Sequence, residues 1–126
     1  MTPTEIVRAF WDAMATNDFA AAARWLAEDF EGYWPQSGEI TRGRANFAAL
    51  NTHYPAHGIW TFDVQRLVAD GPTVVSDVAI SDGTQHARAV TFHETGKGLI
   101  LRQTEYWPDP FDPPAWRAHL VETKPF

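Results

Sequence analysis

Ile6, Val7, Phe10, Trp11 and Met14 recur at steps of three and four residues, while Glu5, Arg8 and Asp12 fall between them, the pattern of a helix with one buried stripe. The preceding Thr2-Pro3-Thr4-Glu5 reads as a capping box with proline in the first turn, so the helix starts there. Asn17-Asp18 ends it and caps a second helix over residues 19–27, which turns Phe19, Ala22, Ala23 and Leu26 inward. From Phe30 the period changes to that of a short strand, closed by the turn residues Gln36-Ser37-Gly38-Glu39. Phe47, Leu50 and Tyr54 restore helical spacing over residues 44–53, until Pro55 stops the run.

Residues 59–107 are rich in β-branched and aromatic side chains and are divided at Asp70-Gly71-Pro72, Ser81-Asp82-Gly83 and Gly96-Lys97-Gly98. Those divisions predict four successive antiparallel strands at 59–69, 73–80, 85–93 and 99–107. Helices first and sheet afterwards give an α+β fold. Residues 108–114, with four prolines and two aspartates, suit a fixed extended connection. A short helix over 115–122 would then place Trp116 and Leu120 on one face.

At 126 residues, with no repeat and no linker, a single domain is expected. The absence of cysteine removes disulfides, thiolate metal sites and a cysteine nucleophile. The amino terminus carries no basic region ahead of an apolar run, and no segment could span a bilayer, so a cytoplasmic protein without a membrane partner is expected. A net charge of −6 and scattered basic residues argue against nucleic acid. Six tryptophans and eight phenylalanines exceed what core filling alone requires, so some are expected to line a cavity or an interface.

Three landmarks follow one another: the helical hairpin with Asn17-Asp18 at its bend, Pro35-Gln36-Ser37-Gly38 leading to Gly43-Arg44, and a last strand running from Gly98-Leu99-Ile100 to Glu105-Tyr106-Trp107. In this order, over roughly residues 4 to 108, they resemble the nuclear transport factor 2-like superfamily, most closely its SnoaL-like polyketide-cyclase branch. The resemblance implies a cone, with three helices packed on a strongly curved antiparallel sheet and a pocket between them for a small hydrophobic ligand. It assigns residues 1–108 to the domain and 109–126 to a Pro-rich extension. It also implies a homodimer paired through the sheet. Enzymes and non-catalytic binding modules share this fold, so function has to come from the site.

In several enzymes of the superfamily an acid near the end of the last strand, one residue before an aromatic, exchanges a proton with substrate; Glu105 before Tyr106 holds that place. The aspartate that often follows two residues after the aromatic is replaced by Pro108, and the Arg-x-Asp motif of the epoxide-hydrolase members has no counterpart in Val75-Ser76-Asp77-Val78-Ala79. Strand alternation groups Leu99, Leu101, Gln103, Glu105 and Trp107 on one face and Ile100, Arg102, Thr104 and Tyr106 on the other, without saying which is inside. Facing a pocket, Glu105 would have its pKa raised and could act as general acid or base; facing out, it would pair with Arg102 or Arg88.

Asp77, mid-strand among valines, is the second catalytic candidate, unless its face is solvated. Tyr54 and Tyr106 are candidate donors to an enolate oxygen, or simply packed rings with wet hydroxyls. Trp11, Trp34, Trp60 and Trp107 are candidate walls of the pocket, with ordinary core filling the alternative, above all for Trp60. The family's cone opens at the end of the third helix, which makes His53 and Tyr54 candidates for its rim. His93 is either a proton shuttle or a solvent-facing residue. The five histidines do not share a ligand spacing, because Pro55 separates His53 from His57 and an odd interval separates His86 from His93, so no metal is expected. No nucleophile elbow or phosphate loop is present, and no cofactor is expected. The expected activity is a cofactor-independent isomerase, cyclase or dehydratase acting on a small hydrophobic carbonyl compound; the alternative is a non-catalytic binding or dimerisation module.

Overall fold

The capping box forms as its residues require. Thr2 Oγ1 accepts from the Glu5 amide at 3.1 Å and Glu5 Oε1 accepts from the Thr2 amide at 2.9 Å, opening helix α1, Pro3–Ala15. The computed structural model describes all 126 residues. Helix α1 buries Ile6, Val7, Phe10, Trp11 and Met14, the stripe its period predicts. Asn17 then takes a left-handed conformation (φ 62°), and its carboxamide clamps the backbone of Trp60, accepting from the amide at 2.9 Å and donating to the carbonyl at 2.8 Å. Asp18 caps α2, Phe19–Ala23, through the Ala21 amide.

The second helix is shorter than its sequence pattern predicts, ending at Ala23 instead of residue 27. Strand β1, Leu26–Trp34, starts where the helix was expected to continue, because the Trp25 carbonyl is taken by the Ile100 amide at 2.8 Å and Leu26 is wholly buried in the sheet. Tertiary pairing here overrides local helix propensity. A short strand β2, Glu39–Arg42, pairs antiparallel with β1 and was not foreseen. Helix α3, Arg44–His53, follows Gly43, whose positive φ of 81° only glycine adopts cheaply.

Strands β3, Thr61–Asp70, β4, Thr73–Ser81, β5, His86–Gly96, and β6, Leu99–Tyr106, form an antiparallel meander close to the predicted intervals. Lys97 and Gly98, both at positive φ, make the two-residue hairpin between the last two strands. The six strands run in the order β2-β1-β6-β5-β4-β3. The expected purely antiparallel sheet is corrected in one respect: β1 lies parallel to β6, so the sheet is mixed. Residues 35–60, carrying β2 and α3, lead the chain from that edge to β3 at the other.

The three helices cover one face of this curved sheet. Phe10, Leu26, Phe30, Val74, Val78 and Ile100 form the centre of the core, each at most 1% exposed. A bulge at Leu101 displaces the alternation of β6, since Ile100 pairs with Thr95 but Arg102 pairs with Glu94. Ile100 and Gln103 are therefore both buried, while Leu101 and Arg102 reach solvent. The expected helix over 115–122 reduces to a single 3₁₀ turn, Ala115–Arg117, because Trp116 and Leu120 find no surface to pack on and stay exposed. No helix is long and apolar enough to cross a membrane.

Candidate active site

Between the helices and the sheet the packing leaves a cavity of about 160 Å³, bordered by 21 residues, 14 of them hydrophobic. Trp11 enters it from α1 and Phe47, Leu50 and Asn51 from α3. Trp34 closes it from the end of β1, Trp60 and Phe62 from the start of β3, and Gln103, Glu105 and Trp107 from β6 and the residue just beyond it. Trp34 and Trp107 meet edge to face with ring centres 6.2 Å apart. The Trp107 amide donates to Gln36 Oε1 at 2.5 Å, tying the end of β6 to the turn between β1 and β2.

The turn beside the cavity is held by the Asp82 carboxylate. Asp82 accepts from the amides of His57, Thr84 and Gln85 at 2.8, 3.0 and 2.6 Å, joining the segment after α3 to the β4–β5 turn. The His57 amide is the largest of the influences that hold the Asp82 pKa well below its ordinary value. Tyr54 borders the cavity beside Trp60, ring centres 5.9 Å apart, and a shallow depression shares both residues outside.

Glu105 is the carboxyl group of the cavity itself. Its Oε1 accepts from Trp34 Nε1 at 3.1 Å and its Oε2 from Thr91 Oγ1 at 2.5 Å. Thr91 stands directly across the ladder from it and is wholly buried. Loss of water raises the Glu105 pKa above the usual 4.5; the Thr91 hydroxyl and the Trp34 and Trp107 indoles oppose that rise without cancelling it. The Trp107 Nε1 is buried on the side of Glu105, near enough to lower its pKa, but it reaches no acceptor within hydrogen-bond distance.

The structure separates the remaining candidates. Trp11, Trp34, Tyr54 and Trp107 border the cavity together with Glu105. Asp77 does not: it projects from the opposite face of the sheet, where Arg88 Nε reaches Oδ1 at 2.5 Å and Arg66 Nη2 reaches Oδ2 at 3.1 Å. The Arg88 contact is the chief reason its pKa lies below the ordinary 3.8, with Arg66 adding to it. Tyr106 is also on that outer face, against Phe92 with ring centres 6.3 Å apart, because it is one residue out of phase with Glu105. His53 is exposed at the end of α3 and does not border the cavity.

His93 corrects both of its expected roles. It is wholly buried behind the cavity wall, neither at the rim nor in solvent, and burial alone drives its pKa down to about 3. It lies between Ser76 and Gln103, with Nε2 2.7 Å from Ser76 Oγ. No three or more His, Asp or Glu side chains converge as metal ligands would.

Two polar residues beside Glu105 were not among the candidates. Gln103 was visible as sharing the Glu105 face at a two-residue interval. Thr91 was not, because only the register of β5 on β6 brings it opposite Glu105.

A family model for the SnoaL-like domain matches residues 7–103. The chain is similar to a crystal structure from Kribbella flavida DSM 17836, provisionally named a ketosteroid isomerase, at 35% identity over 98% of this chain and 90% of that one, TM-score 0.89. It is similar to an NTF-2 like protein of unknown function from Burkholderia xenovorans LB400 at 32% identity, over 98% and 95% of the two chains, TM-score 0.81. A provisional polyketide cyclase from Xanthomonas campestris pv. campestris shares the fold at 23% identity, over 84% and 90% of the chains, TM-score 0.71. No curated protein matches the sequence.

Proposed function

The chain belongs to the SnoaL-like domain family, and on that premise we propose that it is a cofactor-independent acid–base enzyme acting on a small hydrophobic carbonyl compound, with Glu105 as its proton-transfer group. The observation that carries this reading is a single carboxyl group, desolvated and held by neutral donors, at the wall of an apolar cavity. A carboxylate whose pKa is raised toward neutrality is a better base than one in water, and its conjugate acid remains able to return the proton.

The step is an enolisation. The Glu105 carboxylate takes a proton from the carbon beside a carbonyl, the C–H electron pair forms the enolate C=C bond, and the carbonyl π pair moves onto oxygen. In a β,γ-unsaturated ketone the enolate is a dienolate. Protonated Glu105 delivers that proton to its γ carbon, which bonds it with the electron pair of the β,γ double bond while the carbonyl re-forms and the C=C moves to the α,β position, completing an isomerisation. An enolate that instead attacks an internal carbonyl, whose oxygen then takes the proton from Glu105, completes a cyclisation. Trp34 and Thr91 keep the carboxyl group in one orientation while it does so.

A cavity near 160 Å³ is about the size that encloses one six-membered ring, since a 150 Å³ apolar cavity holds benzene. Larger substrates would extend past Tyr54 into the depression outside. The provisional ketosteroid isomerase name of the Kribbella relative agrees with a cyclic ketone, although a four-ring substrate would have most of its length outside this cavity. Deuterium uptake by one-ring ketones in D₂O, followed by proton NMR, tests the reading: the protein should accelerate uptake and Glu105→Gln should abolish the acceleration with folding intact. Equal uptake with both proteins would overturn it. The outer sheet face, where Val68, Phe92 and Tyr106 are exposed, supports pairing with a second copy, to be checked by mass against concentration.

A further inference from the structure

Behind the cavity wall a chain of polar groups runs from α1 to the cavity through dry interior. Trp11 Nε1 lies 3.1 Å from Ser76 Oγ, Ser76 Oγ lies 2.7 Å from His93 Nε2, and His93 Nδ1 lies 3.1 Å from the carboxamide of Gln103. Ser76 and His93 are wholly buried and Gln103 is 5% exposed. Gln103 borders the cavity two residues before Glu105.

The first member sets the direction of the whole chain. An indole N–H only donates, so Ser76 Oγ accepts from Trp11. The Ser76 hydroxyl must then place its own proton on an acceptor, and His93 Nε2 is the one within reach. With its pKa near 3, His93 is neutral and carries one ring proton; accepting at Nε2 leaves that proton on Nδ1. The Nδ1–H requires an oxygen from Gln103. With Gln103 Nε2 beside Nδ1 the histidine would instead carry its proton on Nε2 and the Ser76 hydroxyl proton would have no acceptor; a half-turn of the carboxamide exchanges nitrogen for oxygen at the same place and gives that proton its acceptor. The Gln103 NH₂ group then takes the other position of the carboxamide, on a residue that lines the cavity.

We infer that His93 is a positioning residue that locks Gln103 with its NH₂ toward the ligand, so that Gln103 and the unpartnered Trp107 indole N–H supply two neutral donors to a carbonyl or enolate oxygen beside Glu105. Residues 103, 105 and 107 succeed one another on one face of the chain, about 7 Å apart, giving a donor, a carboxyl group and a donor along the wall. Neutral donors suit this place. They stabilise charge as it develops on oxygen without the strong downward pull on the nearby carboxyl pKa that arginine exerts on Asp77. The ligand class is a one-ring ketone or enone, and this part rests on the carbonyl reading of the cavity.

The test needs no turnover. Long-range ¹H–¹⁵N correlation of the histidine rings in the intact protein at neutral pH should show His93 protonated at Nδ1 and bare at Nε2; protonation at Nε2 overturns the inference and leaves the Glu105 reading standing. Ser76→Ala removes the donor to Nε2, so the Nδ1–H form should lose population and the Gln103 side-chain NH₂ resonances should move. An unchanged tautomer with unmoved Gln103 signals counts against the chain. Added cyclohex-2-enone should shift the Gln103 NH₂ and Trp107 indole protons downfield, whereas toluene should not. Shifts of other cavity residues without these two overturn the donor pair. No shift of any cavity residue overturns the carbonyl reading instead, with the tautomer still deciding the role of His93.

Discussion

Glu105 and Asp77 lie in one sheet, on strands separated only by β5, and have opposite fates. Glu105 faces the helices, loses water and meets only neutral donors, so its pKa rises. Asp77 faces outward between two guanidinium groups, so its pKa falls. Whole-residue exposure does not rank them, since Asp77 is the less exposed of the two; the Glu105 carboxyl group has lost water without gaining a cation. What differs is the charge of the partners. A carboxylate surrounded by cations is a structural anion at every working pH, whereas one surrounded by indole and hydroxyl groups can exchange a proton.

The sharpest way to break this contrast is to neutralise each acid in turn. Glu105→Gln should lower ketone α-proton exchange by roughly 10² to 10⁴-fold, about 3 to 5.5 kcal/mol of barrier, the range for losing a general base. Asp77→Asn should leave exchange unchanged and instead lower unfolding free energy by about 1 to 2 kcal/mol in urea titrations. That is less than for a fully buried pair, because the arginines reach solvent. Equal loss of exchange in both variants would erase the distinction.

The two acids should also give stability opposite slopes with pH. A folded-state pKa raised above 4.5 means that the Glu105 contribution is present below 4.5 and is lost as pH rises through the folded value. A folded-state pKa depressed below 3.8 means that the Asp77 contribution is present above 3.8 and is lost as pH falls through the folded value. Thermal melts should therefore show Glu105→Gln more stable than the parent at pH 8 and no better at pH 4, with Asp77→Asn weaker at pH 8 and converging on the parent in acid. The smallest effect belongs to Trp34→Phe, which deletes one donor to Glu105. It should move the pH midpoint of exchange upward and lower the rate by less than about tenfold, near 1 kcal/mol for one hydrogen bond.

The same contrast marks how far the sequence could be read. The meander, α3 and the Thr2 cap were legible because each depends on neighbours within a few residues. The common face of Gln103, Glu105 and Trp107 was legible from alternation beyond the Leu101 bulge. The placing of Leu99 and Leu101 with them failed at that bulge, where Ile100 turns inward instead. Asp77 was misplaced because its partners come from both neighbouring strands, Arg66 across one ladder and Arg88 across the other. His93 was misplaced because a histidine buried neutral between a serine and a glutamine leaves no mark in the order of residues. The parallel pairing of β1 with β6 joins segments about seventy residues apart, beyond the reach of local pattern.

The central claim is that this sheet holds one exchangeable carboxyl group and one permanent anion. Carbon-13 NMR titration of the two side-chain carboxyl carbons, in one sample, measures it directly. Glu105 should titrate above 4.5 and Asp77 below 3.8. A Glu105 midpoint at or below 4.5 would contradict the account, because the group at the cavity would then be an ordinary solvated carboxylate.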